Sequence, residues 1–207
     1  MKNNFTITIG RQIGCGGLII GKKLAQNLNI SFYDSEVIKI VAKESGLSED
    51  CFKKIDEKKE LNLVESLIMR FSLNINDLNT DNILNSNNLF IIQSEIIKKI
   101  SDKESCVFMG RCVDYILRDH KNKISFFLTA NLEDRIKTVA NENNISEKDA
   151  GRLVKKSENK RAAYYNYYTN KKWGYANSYD FCLNTSFFGI DKTVEIIENI
   201  IIEKFFD

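Results

Sequence analysis

The stretch GRQIGCGGLIIGKK, residues 10–23, directly follows the apolar run FTITI at residues 5–9. The run is rich in β-branched residues and predicts a strand. The segment LIIGKKLAQNL, residues 18–28, has the apolar spacing of a helix. Glycines at this junction leave main-chain N–H groups able to surround an anion at the start of the helix. Strand, glycine turn and helix in this order predict a phosphate-binding loop.

One register of the loop matches the usual spacing by letter. Gly16 and Gly21 are separated by four residues, and Lys22 follows. The four residues, GLII, already belong to the predicted helix, and Lys23 stands where a hydroxyl is needed to hold magnesium. This register would therefore present branched apolar side chains to the phosphates, and we disfavour it.

The other register uses the glycines directly behind the strand. The N–H groups of residues 14–17 then line the anion, and the helix dipole adds a partial positive charge. Gly17 takes the place of the loop lysine, and Leu18 takes the place of the hydroxyl residue. We expect Arg11, at the loop entrance, to supply the missing cation as a planar fork. The alternative is a purely structural turn whose glycines allow close packing.

Four more apolar runs, at residues 30–33, 105–109, 124–128 and 179–183, predict strands, with helical patterns between them. Alternation of this kind predicts a parallel α/β sheet. Asp34 and Asp191 are predicted helix caps, and Ser146 with Asp149 predicts a capping box before a long helix. Residues 74–88, rich in asparagine, are predicted to be a loop.

Composition narrows the class of protein. The chain has 207 residues, 43% of them hydrophobic, and a net charge of +2, which argues against wholesale coating of nucleic acid. The N-terminus lacks a signal-peptide pattern and no apolar run could span a membrane, so we expect a cytoplasmic protein. Five cysteines without a CxxC pair favour reduced thiols, and a single histidine excludes a site built on several imidazoles.

With these pieces in order, the chain resembles the cytidylate kinase-like family, relatives of bacterial cytidylate kinases among the P-loop nucleoside monophosphate kinases. The matching stretches are ITIGRQIGCGG, FYDSEVI, VFMGRCVDYIL, ANLEDRI, KRAAYYNYYTNKKWG and YDFCLNTS followed by IDKTVEII. The resemblance implies a P-loop kinase-like three-layer sandwich with a five-stranded parallel sheet. It also implies one domain over residues 1–207, with a helical nucleotide-binding insertion at about 35–100 and a lid at about 150–175.

The resemblance also assigns site residues and ligands, namely ATP, Mg²⁺ and a small nucleotide acceptor. On the donor side, the loop residues would hold the ATP phosphates and a segment after the last strand would contact the base; these are Gly14, Cys15, Gly16, Gly17, Leu18, Asn184, Thr185 and Ser186. On the acceptor side, Arg111 of the MGRC motif would grip the acceptor phosphate, and Asp34 matches an aspartate near the acceptor nucleotide. The charges of Asp114, Lys156 and Lys160 make these three residues further candidates for the acceptor side.

Arg161 matches a lid arginine that closes over the transferring phosphoryl group, and with Arg11 and Arg111 it completes the predicted catalytic set. In this scheme Asp34 or Asp114 would hold magnesium through water, because Leu18 has no oxygen. The chain departs from cytidylate kinases at Gly17, where they have lysine, and at Cys112, where they have aspartate.

Three functions follow from these residues. The first is an ATP-dependent phosphotransferase acting on a nucleotide or a related small acceptor. The second is a nucleotide-binding regulatory module that kept the pocket and lost the chemistry, which the Gly17–Leu18 pair favours. The third is a nucleic-acid-binding adaptor, because residues 155–173 interleave basic residues with tyrosines. Those tyrosines would either stack a base or pack the helix against the sheet.

Overall fold

The computed structural model describes residues 4–34 and 86–206. The chain divides into two compact units. One comprises Met1–Phe32 and Lys103–Asp207, and the other comprises Tyr33–Asp102. The predictions made for residues 35–85, including the helix after Asp34, lie outside the described residues. Within the described part of the second unit, one helix precedes the third strand and buries Gln93, Ile97 and Ile100.

All five predicted strands are present and form one parallel sheet in the order β2-β3-β1-β4-β5. Their bounds are β1 Thr6–Arg11, β2 Ser31–Tyr33, β3 Cys106–Met109, β4 Lys123–Thr129 and β5 Phe181–Asn184. Because β1 lies between β3 and β4, the segments that follow β1 and β3 leave the same edge of the sheet side by side. Ligands bind at such an edge in open α/β sheets.

The helices of the described residues alternate with these strands, as the sequence predicts. Their bounds are α1 Gly17–Asn27, α2 Ser86–Lys103, α3 Val113–Ile116, α4 Leu132–Asn143, α5 Glu147–Thr169 and α6 Thr185–Phe205. No helix in the described ranges is both long and apolar enough to cross a membrane.

The two faces of the sheet differ in chemistry. Ile7, Ile124 and Phe126 are almost fully buried against α1 and α6 in the main apolar core. The opposite face carries Phe127, whose ring meets Trp173 edge-on at 5.2 Å and Tyr179 at 4.9 Å between centroids. Trp173, the last residue of the segment 155–173, and Tyr179 therefore pack on the sheet.

The helix ends confirm some predictions and correct others. The capping box is confirmed, because the Ser146 hydroxyl accepts the N–H of Asp149 at 3.2 Å. The prediction that Asp191 caps the last helix is wrong. Asn184 caps α6 instead, and Gly189, with φ 74°, breaks it before Asp191. The predicted loop at residues 74–88 ends early, because α2 begins at Ser86.

Candidate functional site

The loop between β1 and α1 has the geometry of an anion site. Gly14 and Gly16 have φ of 76° and 73°, a left-handed backbone that glycine adopts without strain. Within the described residues, the N–H groups of Gly14, Cys15 and Gly16 donate no hydrogen bond. They lie at the positive end of α1, where N–H groups bind phosphates in other proteins. The loop therefore keeps the donors that the second register requires.

The first register is wrong. Gly21 and Lys22 lie inside α1, where the main-chain N–H groups are used by the helix. Gly21 serves packing instead, because a Cβ there would lie 2.5 Å from the Cε of Met109. Lys22 is exposed to solvent on the outer side of the helix.

Arg11 occupies the space that a side chain at position 17 would need. A Cβ built on Gly17 would lie 3.0 Å from the Cβ and 3.1 Å from the Cγ of Arg11. The arginine then runs toward Gly110, where a Cβ would lie 2.6 Å from its Nη1. Its guanidinium group therefore lies between the phosphate loop and the segment that follows β3. That this guanidinium group replaces the cation missing from position 17 stays a prediction.

Neighbouring segments hold the loop from below. The Cys15 thiol donates to the carbonyl of Gln12 at 3.1 Å, and the Thr185 hydroxyl donates to the carbonyl of Cys15 at 2.9 Å. Gln12 in turn accepts a hydrogen bond from the hydroxyl of Thr129. Ile13 packs against the apolar cluster between α4 and α5. These contacts involve carbonyls and side chains, so they fix the loop without consuming its N–H groups.

Gly14 is required by both its backbone angle and its neighbour. A Cβ there would lie 2.6 Å from the main-chain oxygen of Arg135, which cannot move away easily. We expect Gly14→Ala to lower the free energy of unfolding by about 1–3 kcal/mol, measured by urea denaturation. Gly151→Ala is the control. Its Cβ would meet only the Cδ1 of Ile136 at 3.5 Å within α5, so it should stabilise by about 0.5–1 kcal/mol. Equal effects of the two changes would contradict this view of the loop.

One face of α5 contacts the site through several residues. Arg161 donates from Nη1 to the main-chain oxygen of Arg11 at 2.8 Å. Tyr165, one turn later, donates to the carboxylate of Asp114 at 2.6 Å. The predicted lid helix therefore brings Arg161 to the end of β1, beside the phosphate loop.

The structure adds Arg135, which the sequence analysis did not single out. It is buried, donates from Nε to the carbonyl of Ala130 at 2.9 Å, and forms an ion pair with Glu158 of α5. The sequence did contain a signal, because Arg135 lies one turn before buried Val139 and so on the inward face of α4. Its backbone supports Gly14, and its ion pair joins α4 to α5.

The thiol of Cys15 lies within the electrostatic field of three arginines. Burial raises the pKa of this thiol, while the N–H of Gly17 and the guanidinium groups of Arg11, Arg161 and Arg135 act to lower it. Arg135 forms an ion pair with Glu158, and the charges of Arg11 and Arg161 also act at the loop.

Arg111 lies at the same edge of the sheet on an unusual backbone. Gly110, Arg111 and Cys112 have φ of 75°, 60° and 57°, three left-handed residues in succession. Such a conformation costs about 1–3 kcal/mol at each non-glycine residue and is found most often at ligand sites. Arg111 is exposed and hydrogen-bonds to Tyr164 of α5. The guanidinium group of Arg11 reaches the preceding residue, Gly110, and a cleft shared by Arg11 and Arg111 stays a prediction.

Asp114 makes contacts that favour an anchoring role. Burial raises the pKa of its carboxyl, opposed by the hydrogen bond from Tyr165 and by the charges of Lys123 and Lys171. These contacts attach α3 to α5. The predicted part of Asp114 in binding the acceptor or magnesium stays a prediction.

The remaining predicted residues divide into two groups. Asn184, Thr185 and Ser186 do lie at the loop, because Thr185 bonds to Cys15 and Ser186 accepts the N–H of Asn131 at 2.9 Å. Their contact with a base stays a prediction. Lys156 and Lys160 are exposed on the side of α5 away from buried Val154 and Tyr165, so the structure does not bring them to the loop. Asp34 belongs to the second unit, and its role also stays a prediction.

The residues around the loop do not fit a protein-bound magnesium ion. The first turn of α1 presents Leu18 and Ile19, which have no side-chain oxygen. In the part of the chain that the structure describes, no group of three acidic, histidine or cysteine side chains could hold a metal. Cys15, Cys106, Cys112 and Cys182 are free, as expected for reduced thiols.

Fold and loop together define a protein of the P-loop kinase type. The chain belongs to the cytidylate kinase-like family, whose model matches residues 6–187. No curated protein matches the sequence. Among solved structures, an uncharacterised protein from Eubacterium ventriosum is 27% identical with a TM-score of 0.70, over 96% of this chain and 98% of that chain.

Two shikimate kinases share the fold at lower identity. The enzyme from Bacteroides thetaiotaomicron has a TM-score of 0.52 at 11% identity, over 95% of this chain and 98% of that chain. The enzyme from Acinetobacter baumannii, solved in complex with shikimate, has a TM-score of 0.50 at 12% identity, over 98% and 95% of the two chains. The predicted family and fold are therefore confirmed.

Proposed function

We propose that the protein transfers a phosphoryl group from ATP to a nucleotide or a related small acceptor. One observation carries the proposal: the side chain of Arg11 runs beside Gly17 and toward Gly110, next to a loop whose N–H groups at Gly14, Cys15 and Gly16 donate no hydrogen bond among the described residues. A loop that had only lost its lysine would lack this replacement. Membership of a kinase-like family and the P-loop kinase fold support the same function.

In this reaction an acceptor oxygen attacks the γ-phosphorus of ATP, the bond to the bridging oxygen breaks, and ADP leaves. The protein has to position the two anions and neutralise their charge. The N–H groups of the loop and Arg11 hold the donor phosphates, and Arg111 binds the acceptor phosphate. Arg161, held on α5 beside the loop, and Arg11, which reaches toward Gly110, also stabilise the charge on the transferring group. The segment 184–186 contacts the donor base, and Asp34 orients the acceptor.

The second candidate is a regulatory module that binds nucleotide without transferring phosphate. The absence of a lysine at Gly17 and of a hydroxyl at Leu18 favours it. It shares the donor site with the first candidate and differs only in turnover. The nucleic-acid adaptor is weakened, because Tyr165 is buried and Trp173 packs edge-on against Phe127, although Tyr167 of the same segment is exposed.

Turnover separates these candidates. We expect ADP release from ATP to require a second substrate, found by testing nucleoside monophosphates and small hydroxylated or phosphorylated acceptors. Arg111→Ala should then raise the KM for the acceptor and lower kcat/KM by about 10²-fold or more, because a charge-assisted bidentate contact is lost. Arg118→Ala is the control. This arginine is exposed, and its contacts with the described residues are those with Tyr115 and the adjacent Asp119.

Two outcomes would contradict the proposal. ATP binding without turnover for any acceptor favours the regulatory module. Turnover that is equal in Arg111→Ala and the control shows that the acceptor site lies elsewhere. A shift of the melting temperature by ATP tests the shared donor site independently, because a ligand bound only by the folded protein must raise it.

A further inference from the structure

We propose that the site binds the polyphosphate of its nucleotide without a metal ion held by the phosphate loop, the start of α1 or the segment after β3, because the guanidinium groups of Arg11 and Arg161 take over the role of the ion. This inference rests on the proposed function. It concerns how the donor is bound, and so it can fail while the donor site itself stands.

The start of α1 offers no side-chain oxygen that could bind a metal ion. Leu18 and Ile19 are 43% and 46% exposed and offer only carbon atoms at the place where a loop hydroxyl would contact the ion. The nearby hydroxyl of Thr185 is buried, and its proton goes to the main-chain oxygens of Cys15 and Thr129, at 2.9 and 3.1 Å. Thr185 therefore ties the loop to β4 and is not available at the phosphate surface.

The segment after β3 also lacks an acidic ligand, because Cys112 stands where cytidylate kinases have aspartate. Cys112 follows Arg111 and is buried, and burial raises the pKa of its thiol to about 12. Asp114 is turned toward Tyr165, which donates to its carboxylate at 2.6 Å. Neither side chain is directed to the phosphate loop as a charged oxygen ligand.

The structure provides arginine side chains near the loop in place of a metal ion. Arg11 and Arg161 both act on Cys15 at the centre of the loop, and Arg161 is fixed there by its bond to the carbonyl of Arg11. Together they carry the same formal charge as one Mg²⁺ ion. A guanidinium group is planar and binds phosphate oxygens bidentately, so its affinity does not depend on a metal.

The test is calorimetric titration of the full chain with ATP, once in EDTA and once in excess magnesium chloride. We expect ATP to bind in EDTA at least as tightly as in magnesium, because chelation of the phosphates by Mg²⁺ competes with the arginines. A dissociation constant that rises by more than about threefold in EDTA overturns the inference and leaves the donor site intact. Absence of binding in both buffers overturns the proposed donor site as well.

Two matched variants make the test specific. Leu18→Ser restores a hydroxyl at the usual position and should acquire binding that is at least about threefold tighter in magnesium than in EDTA. Ile19→Ser places the same group at a similarly exposed residue about 100° further around the helix and should behave like the wild type. If Leu18→Ser gains no dependence on magnesium, the missing hydroxyl is not what frees the site from the ion, and the explanation is wrong.

Discussion

Replacing Arg11 by methionine is expected to lower kcat/KM for phosphoryl transfer by about 10³-fold or more, the range found when an arginine that stabilises a transferring phosphoryl group is removed. Methionine keeps an unbranched stem beside Gly17, so the loop should remain folded while the guanidinium group is lost. The measurement is steady-state ADP release, with the dissociation constant for ATP determined in parallel.

The size of this effect follows from the position of Arg11. Its guanidinium group lies between the phosphate loop and Gly110, next to the residue that is expected to bind the acceptor. A cation at this point neutralises charge on the group in transit, which a residue at the rim of the site could not do. Arg118→Met is the control, because that arginine is exposed and contacts Tyr115 and Asp119 only. Retention of activity within about tenfold would show that another group supplies the cation.

The sequence predicted the sheet well because its signals are local. Each strand is a short apolar run. The run at residues 124–128 lies inside β4, and the run at residues 105–109 begins one residue before β3 and ends with it. The loop was predicted for the same reason, since strand, glycines and helix are adjacent in the chain. The order of the strands was not predicted, because the residues of a strand do not show which strands lie beside it.

The parts that the sequence did not predict depend on contacts between distant segments. Arg135 supports Gly14 from α4, and no local pattern shows that the two backbones meet. The left-handed conformation of Arg111 and Cys112 is equally invisible, because neither residue type prefers it. Asp191 was predicted as a cap because it precedes an apolar helix, but Asn184 caps α6, and the non-helical residue before the apolar segment is Gly189. Arg11 was predicted to supply the cation of the loop. Only the structure shows why position 17 is glycine, since the side chain of Arg11 lies where a Cβ at this position would be.

That reason leads to a second prediction of large effect, for the chain in which the lysine is restored. Gly17→Lys should weaken ATP binding and lower the melting temperature, although it restores the residue that phosphate-binding loops usually have at this position. The backbone of Gly17 is helical and accepts a side chain, but the new Cβ would lie 3.0 Å from the Cβ of Arg11. The lysine would also bring a like charge to Arg11 and Arg161.

The double variant Arg11→Gly/Gly17→Lys decides whether the two positions exchange one function. Removing both the Cβ and the Cγ of residue 11 vacates the space, and the lysine then restores one cation to the loop. We expect the double variant to bind ATP more tightly than either single variant, with a coupling free energy of about 1–3 kcal/mol from calorimetric dissociation constants. Gly17→Ala measures the steric part alone, because it adds the Cβ without the charge. Additivity within about 0.5 kcal/mol would mean that Arg11 and residue 17 act independently, and that Arg11 does not replace the loop lysine.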